Sequence, residues 1–212
     1  MPFVVFEGLD GSGKSSLMAA LESHLRGKNL NVLKTREPGG TELGDEIRNL
    51  ILRREGDNPT PRTELLLYEA SRAQHVDRVI LPQLKKNVWV LCDRFSASSI
   101  AFQAGGRSID TEWVERLNEV ATNGLAPDLT VLLDLSVEES RRRRNQRQNH
   151  TGSQEDRIES EADTFHERVR QSFLSQARED ARRWLVLDAS QPPEVLLKNL
   201  LDHLISLKWQ EY

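Results

Sequence analysis

Residues 8–16 read GLDGSGKSS and follow directly on the apolar run FVVFE at residues 3–7. Gly8-Leu9-Asp10-Gly11-Ser12-Gly13-Lys14-Ser15 satisfies G-x-x-x-x-G-K-[ST] at every fixed position. Each residue type has a physical reason. Glycines let backbone amides approach phosphate oxygens. The helix that follows turns its unpaired N–H groups and the positive end of its dipole toward the same anion. A lysine there reaches the β- and γ-phosphates, and a Ser15 hydroxyl ligates Mg²⁺. A strand before the loop and an amphipathic helix after it supply the context that separates this pattern from a Gly/Ser turn.

The rest of the chain alternates in the same way. Short apolar runs predict strands at 3–7, 31–35, 88–92, 129–135 and 184–188, each buried on both faces. Between them, Leu17, Leu21 and Leu25 recur at helical spacing. So do Leu43, Ile47, Leu50 and Ile51, then Leu66, Ala70 and Ala73, and finally Leu196, Leu200 and Leu204. This alternation predicts an α/β chain: a three-layer P-loop NTPase fold with a five-stranded parallel sheet and helices on both faces. A length of 212 residues suits one domain, 1–212. Residues 141–157, RRRRNQRQNHTGSQEDR, are polar throughout and predict a mobile surface lid.

Composition narrows the partners. A net charge of −4 gives no basic field for a nucleic-acid polymer. No apolar run approaches a bilayer span, and the N-terminus lacks the basic region of a signal peptide. The single cysteine, Cys92, excludes an internal disulfide and suits a reducing cytoplasm.

Asp93 and Arg94 follow the third apolar run, at the rim where open α/β sheets bind ligands. An acid at that rim holds Mg²⁺, directly or through water, so Ser15 and Asp93 are the candidate metal ligands. Arg36, Arg48, Arg72 and Arg94 near the strand ends point to a second anionic substrate, because guanidinium binds phosphate bidentately and stays charged. Transfer of a phosphoryl group to an acceptor phosphate needs several cations and no strong base. No guanine-reading N-K-x-D stretch is present, which argues against a GTP switch.

FEGLDGSGKSS (6–16), TREPGGT (35–41), LLLYEASRAQH (65–75), DRFSASSIAFQ (93–103), LAPDLTVLLDLSVEES (125–140) and DRIESE (156–161) together resemble the successive motifs of bacterial thymidylate kinases. The resemblance spans nearly the whole chain. It implies transfer of the γ-phosphate of ATP to dTMP with Mg²⁺, in a cytoplasmic homodimer. Helices at 64–86 and 95–103 would offer the dimer faces. The phosphate loop, Gly8 to Ser15, would bind ATP. Asp10 matches an acid that contacts the acceptor sugar and metal region, and Glu37 a carboxylate near the acceptor site. Arg48 and Arg94 match positions near the dTMP phosphate, and Arg72 one that bonds the thymine edge. Tyr68 stands where the family usually stacks a phenylalanine on the base. Ser99 and Gln103 match polar groups around base and sugar, and Phe102 an aromatic that favours deoxyribose. Some members carry a catalytic arginine at the position of Gly11; others supply it from the lid. Lys14, Asp10 and Arg94 are therefore expected to act with Arg144 or Arg147, Arg157 being a further candidate. Other readings of the same fold are a deoxynucleoside kinase using Glu37 as base, or a nucleotide-dependent switch.

Overall fold

The computed structural model describes residues 2–152 and 155–209. Its five-stranded sheet is parallel throughout, in the order β2-β3-β1-β4-β5. The strands are β1 (Phe3–Glu7), β2 (Val32–Arg36), β3 (Trp89–Asp93), β4 (Leu129–Asp134) and β5 (Trp184–Asp188). The helices are α1 (Lys14–Gly27), α2 (Glu42–Leu52), α3 (Pro61–His75), α4 (Leu81–Lys85), α5 (Ser96–Ser99), α6 (Thr111–Thr122), α7 (Val137–Thr151), α8 (Asp163–Glu179) and α9 (Pro193–Ser206). β1 and β5 fall where the apolar runs predict them. β2 and β3 lie one residue later, ending at Arg36 and Asp93.

The core lies on both sides of the central strands. On one side Val4 and Phe6 of β1 and Leu129, Val131 and Leu133 of β4 meet α1 and α9 through Leu17, Leu21, Leu25, Leu196 and Leu200. On the opposite side Phe3, Val5, Val90 and Cys92 pack against Val76, Ile80 and Phe95, with Leu81 and Leu84 of α4 at the edge. A third cluster joins Leu132 to Phe102, Phe165, Val169 and Phe173, and so ties α8 to the segment after β3. Cys92 is buried, and burial pushes its thiol pKa up.

Three expectations change. The edge strands β2 and β5 are only half buried, because each has a neighbouring strand on one side alone. Leu43, Leu50 and Leu66 are exposed. In α2 Ile47 and Ile51 face inward, and in α3 the inner face is Leu65, Glu69 and Arg72 rather than Leu66, Ala70 and Ala73. The predicted lid is also more ordered in its first part. Residues 141–151 continue α7, and Arg144 is buried. Ser153 and Gln154 of that segment lie outside the described residues.

After β3 the chain forms the short helix α5 and then a π-helical segment at Ile100–Gly106. The wider turn carries Phe102 and Gln103 together, in keeping with the tendency of such segments to occur at functional sites. Residues 95–103 are mostly interior, and Ser98, Ser99, Phe102 and Gln103 form a wall of the site.

Candidate active site

The phosphate loop leaves β1 at Gly8 with φ +131°, and a Cβ there would lie 2.5 Å from the Leu133 carbonyl oxygen. Only glycine fits that approach. Lys14, nearly buried, donates to the carbonyls of Gly8 and Leu9, each at 3.1 Å. Burial lowers its pKa, and the nearby Arg94 adds to the shift.

Asp93 ends β3 beside the loop, and Ser15 Oγ donates to its Oδ2 at 3.3 Å. Asp93 Oδ1 is buried and has no hydrogen-bond partner among the described residues. An acid with one unused oxygen beside a P-loop hydroxyl suits Mg²⁺, which takes few protein ligands and completes its shell with water and phosphate. No cluster of three or more His, Cys, Asp or Glu suited to a metal occurs among the described residues.

Arg94 is in the left-handed region at φ +70°. Its Nη2 donates to Asp10 Oδ1 at 2.8 Å, and its guanidinium lies 4.9 Å from the centre of the Phe102 ring. Burial alone would raise the Asp10 pKa, but Arg94 and Lys14 outweigh it and hold the carboxyl well below the usual range. Glu7, fully buried at the end of β1, accepts from the Phe95 N–H at 2.9 Å and the Ser98 hydroxyl at 2.7 Å. Burial pushes its pKa up to about 7 against the pull of Arg94.

The raised value has a defined sign. Native Glu7 holds its proton more tightly than unfolded Glu7, so its contribution is present at low pH and lost as pH rises through about 7. Glu7→Gln is expected to flatten the fall in melting temperature between about pH 5 and about pH 8. An unchanged slope would mean that Glu7 does not titrate there.

One cleft is lined by Asp10, Glu37, Pro38, Arg48, Leu52, Tyr68, Arg94, Ser98, Ser99, Phe102, Gln103, Asp156 and Ile158. It thus gathers every residue expected around the acceptor except Arg72. Arg72 is buried behind the wall. Its Nε donates to Glu37 at 2.8 Å, its Nη1 to Glu69, Ser99 and Asn118, and its Nη2 to the Phe95 carbonyl. Its guanidinium reaches the cleft wall through Ser99 and Glu37, both of which line the cleft. Arg36 also lies elsewhere, in an exposed pair with Asp45.

A second cleft of about 420 Å³ opens on the other side of the loop. Ser12, Gly13, Leu17, Arg143, Gln191 and Pro192 are among its walls. Sequence reasoning missed the segment after β5, since nothing in ASQPP suggests nucleotide chemistry. Between the clefts, α7 rests on the loop. Ser140 Oγ donates to the Asp10 carbonyl at 2.7 Å, and a Cβ on Gly11 would meet Arg143 and Arg144 within 3.6 Å. Arg144 donates to the Glu159 carbonyl and Arg147 to the Glu159 carboxylate. Arg157 instead pairs with Glu64 at 2.6 Å, below the first cleft.

Two clefts flanking one phosphate loop, with Asp10 and Arg94 beside it, define a P-loop fold suited to bringing two nucleotides end to end, as a nucleoside monophosphate kinase must. Comparison with known proteins agrees. A family model described as Thymidylate kinase matches residues 6–200. A thymidylate kinase of Bdellovibrio bacteriovorus is 70% identical over 98% of this chain and 97% of its own length. Those of Trichlorobacter lovleyi and Desulfovibrio desulfuricans are 43% and 45% identical, over 96% and 91% of this chain and 97% and 89% of their own lengths. The chain belongs to the thymidylate kinase family, and it is a phosphotransferase.

Proposed function

We propose that the chain transfers the γ-phosphoryl group of ATP to dTMP, with the acceptor in the Arg48–Phe102 cleft and the adenine of ATP in the cleft beside Arg143. The observation that carries this arrangement is the Arg94–Asp10 pair, 2.8 Å apart at the junction of acceptor cleft and phosphate loop. Tyr68 and Phe102 flank the base. Arg48 and Arg94 hold the acceptor phosphate. An oxygen of that phosphate is already ionised, so it attacks the γ-phosphorus without a protein base. Lys14 and Arg94 offset the charge on the transferring group, joined by Arg144 or Arg147 from α7. Ser15 and Asp93 would hold Mg²⁺, which supplies further charge neutralisation when bound.

A coupled ADP-release assay with Mg-ATP tests the reading. Turnover is expected to be highest with dTMP, lower with dUMP and small with dCMP, dGMP and AMP. Equal or better turnover of a purine monophosphate overturns it. Thymidine is expected to be a poor acceptor. Its neutral hydroxyl would need Glu37 as base, and Glu37 already accepts from His75 Nδ1 and Arg72 Nε.

The chain then acts as one kinase domain with a lid formed from α7 and the segment behind it, working in the cytoplasm as a homodimer. No helix among the described residues is long and apolar enough to cross a membrane. Leu66 on α3, with Trp113 and Val120 on α6, leaves apolar surface on two helices that pack together. Light scattering at micromolar concentration is expected to give twice the mass of 24.2 kDa; a monomer mass rejects the dimer.

A further inference from the structure

We propose that Glu69 is a positioning residue for base selection: it takes the Ser99 proton and so leaves Ser99 able only to accept a hydrogen bond from the acceptor base. The inference rests on dTMP occupying the cleft as described above.

Ser99 lines that cleft and is almost fully buried. Its hydroxyl donates to Glu69 Oε1 at 2.7 Å. Arg72 Nη1 donates to the same Ser99 oxygen at 2.9 Å. A serine hydroxyl has one proton and two lone pairs. The proton is spent on Glu69; Arg72 Nη1 shares two hydrogens among Glu69, Asn118 and Ser99 and so occupies at most one Ser99 lone pair, and at least one remains. Glu69 can hold the hydroxyl this way because an ionised carboxylate only accepts. It is held in turn by Arg72, whose Nη1 donates to Glu69 Oε1 at 2.6 Å.

A lone pair facing the base discriminates by chemistry. Thymine and uracil carry an N3–H donor. Cytosine has a bare N3 acceptor at that position, so two acceptors would meet and neither could be satisfied. Buried polar groups left without partners are what give such sites their selectivity. Freed from Glu69, Ser99 could rotate its proton toward a cytosine N3 and accept it as a substrate base.

The test uses dTMP and 5-methyl-dCMP, which share the methyl group and differ at N3 and position 4. The ratio of their kcat/KM values is measured for the unmodified enzyme, Glu69→Ala, Glu69→Gln and Ser99→Ala. Glu69→Ala is expected to lower the ratio by about tenfold or more, the scale of one discriminating hydrogen bond, while Glu69→Gln, whose amide oxygen still accepts from Ser99, is expected to keep it within a few-fold. In Glu69→Ala, loss of both activities in proportion, with the ratio unchanged, would show a structural role only and overturn the proposal. In the double variant the ratio is expected to match that of Ser99→Ala alone, since Glu69 acts through Ser99. If Glu69→Ala does not fold, Ser99→Ala and Ser99→Thr carry the test: threonine should keep the ratio and alanine lose it, and equal ratios overturn the proposal. An unmodified enzyme that fails to prefer dTMP would refute the acceptor assignment itself, a distinguishable failure.

Discussion

Lys14→Ala is expected to lower kcat about a thousandfold or more while leaving the protein folded. The lysine is the one ammonium among the phosphate-loop residues, and its aim at the β- and γ-phosphates follows from the loop. Removing a preorganised cation from developing charge costs on this scale. The fold should tolerate the change, because burial lowers the Lys14 pKa and its charge is therefore held at a cost. Single-turnover kinetics beside a melting curve check both halves. Turnover surviving within a few-fold would remove Lys14 from the site; a collapse of the melting temperature would make the lost activity uninformative.

Arg94→Ala is expected to lower kcat/KM for dTMP by about a hundredfold to a thousandfold, with a much smaller change in KM for ATP. Three roles meet in this side chain. It lines the cleft proposed for the acceptor, it pairs with Asp10 at 2.8 Å, and it lies 3.8 Å from the buried Glu7. Arg94→Lys should rescue little, since an ammonium lacks the flat two-pronged geometry of guanidinium. Equal losses toward both nucleotides would place Arg94 in general scaffolding rather than at the acceptor.

Much of this was legible in the sequence, and the misses have physical causes. The phosphate loop and the central strands were plain because apolar runs buried on both faces leave a strong signal. α3 was read onto the wrong face. Its outer side carries Leu66 and Ala70, while its inner side buries Glu64, Glu69 and Arg72 in paired contacts. A periodicity that counts apolar residues cannot see a polar interior whose charges cancel across distant segments. The same blindness hid the burial of Arg144, whose partner at Glu159 lies 15 residues away. The closed set of partners around Arg72 likewise could not be read from one chain of letters.

Glu64 gives the site one last property. It accepts from Gln103 in the acceptor wall at 2.9 Å and from Arg157, beyond α7, at 2.6 Å. A carboxylate has few lone pairs, so the acceptor wall and the segment that returns from α7 beneath the same cleft draw on the same small supply. Any coupling that this shared carboxylate carries to the other cleft through α7 is reciprocal. The factor by which one nucleotide alters the affinity of the second must be the factor by which the second alters the first.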